Sequence, residues 1–363
     1  MKMAGELGVR CYDVRPVAGN ASQNRHPDDA AKEITMFRSA VAFFIAGLAG
    51  IGLAACDQLT AGVQAVSVLT QTPDVADSLP AELKQLTTFN QQDFEPVAGV
   101  VVGIGEVANV TEAATGNAEP QPITGAEAYV RWTAEGSEEV ALCEAAAEGE
   151  SQGIEGASEA QGLYLASSYA PETNDTTPCT ATELAYASGT TYTTEVETAT
   201  DVYTMEVEAP APVAADKLTF APELSGPESI GGVDLQTHTG GALTLDWSDD
   251  PEASKRNVFV TVLRAQFSGD PNTAGSALDD ANWTVDEDNP VFDNTPREPQ
   301  ALVDLVLEQP ETSVEIEAST FSEPGLYAVV LTPVELSTQT STNLAIGSGA
   351  LAGQGTVFTF FVK

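Results

Sequence analysis

The chain has 363 residues, with 54 acidic against 14 basic side chains and a formal net charge of −40. Such an excess excludes sequence-independent nucleic-acid binding, which depends on Lys and Arg neutralising phosphates, and it opposes adsorption to an anionic membrane surface. With 42% hydrophobic residues the chain has the apolar material for a core, so its charge does not imply disorder.

Residues 1–35 mix Cys11, His26 and polar residues without periodicity. They read as an N-terminal extension upstream of a true start at Met36, with a long n-region of the signal as the alternative, and they are set aside for the fold. Arg38 then introduces residues 40–55, an uncharged run of 16 residues. A membrane-spanning helix needs about 20. Gly47, Gly50 and Gly52 would weaken a helix that had to persist in a core. A basic start, a short apolar middle and a small-residue exit describe a secretory signal over 36–55. Its last residues, Leu53-Ala54-Ala55-Cys56, resemble the lipobox of bacterial lipoproteins. The resemblance implies cleavage before Cys56, fatty acylation of that cysteine, and a cell-envelope protein held to a bacterial membrane by its lipid. Two or three acyl chains hold a protein durably where one does not.

From Cys56 onward the chain carries 49 acidic and 8 basic residues, a composition resembling that of proteins from saline settings. Two cysteines remain beyond the anchor, Cys143 and Cys179. In an oxidising compartment such a pair reads as one disulfide, contributing about 3 to 4 kcal/mol by chain entropy. A Cys-based metal or redox site would call for close Cys-x-x-Cys spacing and nearby histidines, which are missing.

Residues 56–95 read as a tether, with one short helix expected at "LPAELKQL", proline at its start. Residues 96–209 then read as strands: "VAGVVVGIGEV", "AEAYVRW", "GLYLASSY", and a hairpin in "TYTTEVETATDVYTMEVEA" turning at "ETATD". The acidic, glycine-rich "AAAEGESQGIEGASEAQG" reads as a loop. Prolines and alanines make 210–216 a linker by composition, an extended semi-stiff spacer. A second strand-rich block, 217–363, contains "ALTLDW", "NVFVTVLRAQF", "SVEIEA", "GLYAVVLTPVEL" and the closing "GTVFTFFVK".

Many short strands punctuated by Gly, Pro and Asp predict an all-β chain of two β-sandwich domains. The second block resembles fibronectin type III and immunoglobulin-like modules. Trp247 ends the strand "LTLDW", and Tyr327 follows Pro324-Gly325 as in a tyrosine corner. The resemblance implies an inter-sheet position for Trp247 and a phenol of Tyr327 bonded back to upstream backbone. A fainter echo places Tyr192 after Gly189. The acidic insertion 268–300 departs from the minimal module.

Chemistry-bearing motifs are sparse. His238, in "LQTHTGG", is the one histidine beyond Cys56 and reads as a solvated turn residue; no Gly-x-Ser-x-Gly elbow accompanies it. "GIGEVA", with Gly103, Gly105 and Ala108, formally matches a dinucleotide fingerprint, but the next residues, "NVTEAATGNAEPQP", cannot form the required helix, so the glycines read as serving a bulge or bend in a strand. Asp249, Asp250, Asp279, Asp280, Asp286, Asp288 and Asp293 gather in expected loops, where oxygen ligands for Ca²⁺ would belong. They lack the glycine and closing glutamate of an EF-hand loop. The sequence therefore predicts a non-catalytic envelope lipoprotein with a structural, adhesive or protein-interaction role and no cofactor or metal. Its partner would be an unnamed envelope or extracellular protein. A calcium- or small-ligand-binding receptor stands second and a hydrolase third.

Overall fold

A computed structural model of the chain describes residues 62–71, 97–105, 121–133, 137–147, 161–167, 181, 183–268, 283–285, 290–295, 309–337, 340–344 and 348–363. The expected signal at 36–55, Cys56, Cys179, the expected helix at 79–86 and most of the two acidic stretches lie outside these residues. Among the described residues the chain is all-β, as its alternation predicts.

The first core is a sandwich. One sheet carries β1 (Gly62–Gln71), β2 (Val97–Gly105) and β6 (Leu163–Ser167), with the two-residue β3 (Gln121–Pro122) beside β2. The facing sheet carries β4 (Glu127–Thr133), β7 (Thr191–Glu197) and β8 (Val202–Glu208). β5 (Ser137–Glu144) belongs to both: its first residues pair with β4, then Cys143 and Glu144 pair with Leu165 and Tyr164 on β6. A strand that changes sheets makes a corner of the sandwich. Between the sheets lie Ala98, Val100, Val130, Trp132, Val140, Tyr164, Tyr192, Val196 and Met205. The hairpin β7–β8 turns at 198–201, where the sequence places it. Val196, Met205 and Val207 face inward while Glu195, Glu206 and Glu208 alternate outward, the period of a half-buried strand.

The second core lies between a three-stranded sheet and a larger one. The small sheet orders β16 (Ser313–Ile316), β12 (Leu243–Asp246) and β9 (Thr219–Ala221). The larger joins β10 (Ser225–Ile230), β11 (Val233–His238), β19 (Thr356–Val362), β17 (Gly325–Ser337) and β13 (Asn257–Phe267), with β14 (Trp283–Val285) and β15 (Phe292–Asp293) against β13. Leu243, Leu245 and Trp247 meet Val260, Val262, Tyr327, Val329, Leu331 and Phe360 across it. Trp247 thus takes the inter-sheet position that the resemblance implies.

The two cores are not joined by a spacer alone. β17 pairs through one unbroken antiparallel register with β19 over Gly325–Leu331 and with β18 (Gly349–Gln354) over Val334–Ser337. The β18 end of this long hairpin puts Ala350 and Ala352 into the first core, and the β19 end puts Phe360 and Val362 into the second. β18 also runs parallel to β1, from Val66–Gly349 to Gln71–Gln354. Residues 62–71, expected within a tether, are therefore a central strand, buried on both faces from Ala65 to Leu69.

Residues 210–216 likewise pack instead of spanning solvent. Pro210 and Val213 are buried, the Pro210 carbonyl accepts from Tyr186 Oη, and that of Val213 accepts from Thr356 Oγ1 at 2.7 Å. Proline lacks an N–H, so its carbonyl is the one backbone group requiring a partner.

Candidate functional site

Of the residues singled out in the sequence, Cys56 and Cys179 lie outside the described residues. Cys143 sits half-buried where β5 changes sheets, and it is disulfide-bonded, so it offers no free thiol.

His238 departs from the expectation of a solvated turn. Only 2% exposed, it ends β11 with its ring edge-on to Phe321 at 5.1 Å and to Phe360 at 6.1 Å. Its Nε2 lies 3.2 Å from the Gly241 carbonyl oxygen. The sequence shows a Thr- and Gly-rich neighbourhood, but the burial comes from Phe321 and Phe360, which are remote in the chain. The ring is therefore sealed from solvent within the second core.

Tyr327 forms the expected corner: its hydroxyl donates to the Glu323 carbonyl at 2.8 Å and lies 3.3 Å from that of Thr320. Burial raises its pKa, against the opposing pull of the Arg264 guanidinium. Three tyrosines of the first core work the same way. Tyr192 Oη donates to the Ala185 carbonyl and accepts from the Ala187 N–H; Tyr164 Oη bridges the Ile123 carbonyl and the Ala126 N–H. Tyr186 reaches Pro210, and burial pushes its pKa upward. These phenols are structural clamps on loops entering the strands, with their protons committed to backbone.

The acidic candidates separate. Asp279, Asp280, Asp286 and Asp288 lie outside the described residues. Asp250 is buried and accepts from the backbone N–H groups of Ala214, Glu252 and Ala253 at 2.9–3.0 Å. It closes the turn after Trp247 and ties residue 214 to it. Burial raises its pKa, but the three backbone donors outweigh that and hold it below the ordinary carboxylate range. Because the native value is depressed, the stabilisation is full above about pH 4 and fades as pH falls through the native value. Asp250→Ala is expected to cost about 1–2 kcal/mol at neutral pH by losing a cap of this kind. Urea titrations of both proteins at neutral and acid pH check this, and the gap between them should close in acid. Asp293 carries a backbone cap too, accepting from the Thr295 N–H. Among the described residues no group of three or more His, Cys, Asp or Glu converges as a metal site. Gly103 and Gly105 lie within β2, paired with Gln64 and Gly62 of β1.

Charge is arranged with equal economy. Arg131, Lys217, Lys255, Arg256, Arg264 and Lys363, all the Lys and Arg among the described residues, are each ion-paired to a carboxylate. Arg131 reaches both Glu139 and Glu195 and lies over the Tyr129 ring. Exposed pairs of this sort add little stability. Each cation of the described surface is thus matched to a carboxylate.

A cleft of about 170 Å³ opens between the start of β13 and β16, with Asn257, Asn294, Gln309, Glu311 and Trp247 in its walls. Among the described residues Trp247 Nε1 has no hydrogen-bond partner, and it is itself buried.

No family model matches this chain, and no curated protein matches it. Among solved structures, the FN1–FN3 domains of chicken CNTN1 align over 74% of this chain and 62% of theirs, at 8% identity and a TM-score of 0.22. Salmonella alpha-2-macroglobulin reacted with methylamine aligns over 84% of this chain and 15% of its own, at 8% identity and a TM-score of 0.20. The chain thus spans less than two thirds of either. At these scores the alignments carry no argument; the sandwich assignment rests on the strand pairings and cores described above.

Proposed function

We propose that this chain is a non-catalytic cell-envelope lipoprotein, anchored through Cys56, whose β-sandwiches serve structural, adhesive or protein-contact roles outside the cytoplasm. The observation that carries the reading is the signal-length apolar run ending in Leu53-Ala54-Ala55-Cys56, followed only six residues later by the first strand. The commitment of buried polar groups to structure supports it. His238, Asp250, Tyr164, Tyr186, Tyr192 and Tyr327 are each engaged with backbone, and the cations among the described residues are engaged with carboxylates. The partner favoured by such a surface is a basic face of another envelope or extracellular protein.

We also propose that Cys143 pairs with Cys179. An oxidised Cys143 at the sandwich corner supports this, and an exported protein meets the conditions for it. Mass spectrometry of an unreduced digest should give the Cys143–Cys179 peptide pair, and two alkylated thiols would exclude it. For the anchor, metabolic labelling with a fatty acid should mark the wild-type protein and not Cys56→Ala, and the variant should leave the membrane fraction. An unlabelled wild type, or a variant that stays bound equally firmly, would overturn the lipoprotein reading.

A further inference from the structure

The direction of β1 decides which sandwich faces outward. β1 runs from Gly62 to Gln71, and β18 lies parallel to it, so the chain from Gly349 to Val362 climbs in the same direction. At Gln71 and Gln354 the two reach one level, where the Gly355 N–H donates to the Gln71 carbonyl. β19 then continues onward into the second core. β11 and the Gly325–Leu331 stretch of β17, which pair with β19, therefore lie beyond the far end of β1, while Val334–Ser337 of β17 stays level with it. At the near end, the start of β1 is level with the end of β2, and the parallel bridge Val63–Leu344 joins it there. Asn343 Nδ2 donates to the Val202 carbonyl, and the antiparallel bridge Met205–Thr340 brings the same segment against β8. The turn 198–201 between β7 and β8 thus belongs to this near end. Val202, 45% exposed, borders it.

Cys56 is six residues before Gly62, a reach of at most about 20 Å even if fully extended. We infer that the near end of the first sandwich is held at the membrane and that the second sandwich is displayed distally. The shared hairpin sets this orientation. Among the described residues, the turns 239–242 and 317–324 stand at the distal end of the second sandwich. Measured along β1 and then β19, that tip stands about 55 Å from the near end. The inference rests on acylation of Cys56, and it goes beyond it: a lipid on that cysteine does not by itself say which body is outermost. A flexible tether over 56–95 would have left either one free to face the membrane.

The test uses the full acylated protein in vesicles of phosphatidylethanolamine and phosphatidylglycerol containing a headgroup-labelled acceptor lipid. A donor dye is placed on Thr200→Cys in one sample and on Ser322→Cys in another; both positions are exposed and lie in turns at opposite ends. Energy transfer from position 200 should be several-fold higher than from position 322. Equal transfer, or the reverse order, in protein that floats with the vesicles overturns the orientation and leaves the anchor standing. Protein that fails to float overturns the anchor, and the orientation with it.

Discussion

A fragment covering residues 57–209 is expected not to fold by itself, although it contains every strand of the first sandwich except one. The missing strand is β18, which lies between β17 and β1 and supplies Ala350 and Ala352 to the first core. Without it, β1 becomes an edge whose backbone groups lose their partners from Val66 to Gln71. Val66 and Val68, which pack against Val334 and Leu351, lose their cover as well. The Ala65 N–H also loses its acceptor, Ser348 Oγ at 3.1 Å. Unmet buried donors cost roughly 1–3 kcal/mol each, and lost apolar burial adds to them. Typical domain stabilities of about 5–15 kcal/mol cannot absorb several such losses. The fragment should show poor amide dispersion by NMR and no cooperative melt. The intact chain from residue 57 should unfold in one transition. A fragment that melts cooperatively with native-like dispersion would show the hairpin to be dispensable to the first core.

Phe360→Ala is expected to be among the most damaging single substitutions, costing about 3–5 kcal/mol. The ring is fully buried and stacked on Tyr327 at 6.1 Å with an interplanar angle of 8°. Phe321 lies 5.9 Å away, His238 at 6.1 Å and Phe220 at 6.5 Å. Truncation leaves a cavity at the point where all four converge, and it removes the wall that keeps His238 dry. Phe360→Leu retains most of the volume and should cost less than about 1.5 kcal/mol. Urea midpoints with unchanged slopes would measure both. A loss below about 1 kcal/mol for the alanine variant would mean that the cluster collapses around the gap.

Much of the fold was legible because alternation reports which face a strand buries. "TYTTEVE" and "VYTMEVE" read as a hairpin and form one. "GLYAVVLTPVEL" reads as a strand, and its lack of alternation has a structural cause: β17 is buried on both faces from Gly325 to Val334. Tyr327 was readable too, since a tyrosine corner is a local device whose acceptors lie four and seven residues upstream. β1 was not legible. "GVQAVSVLTQ" interrupts its apolar residues with Gln64, Ser67 and Thr70, and the burial of Ser67 is decided by neighbours from the far end of the chain. β10 and β11 were missed for a related reason. Gly226, Pro227, Gly231 and Gly232 mark turns, while the pairing of β11 with β19 depends on residues over a hundred positions away.

The candidate site divided along the same line. That Cys56 ends a signal-like run is a property of consecutive residues, and so is the scarcity of nucleophile, base and metal motifs. That His238 is sealed among aromatics and that Asp250 is consumed by backbone caps are facts of packing.

By itself, then, the sequence determined the secondary-structure class, the acidic character and the uncharged apolar run before residue 56, since each depends on neighbours within one strand or one short run. Only the tertiary structure decided that the two sandwiches share a hairpin and that the segment after Cys56 is a core strand. The physical reason is sequence distance: β1 and β18 pair across 283 positions, as Val66 with Gly349 shows. Periodicity says which face of a strand is buried, but not which remote strand will lie against it.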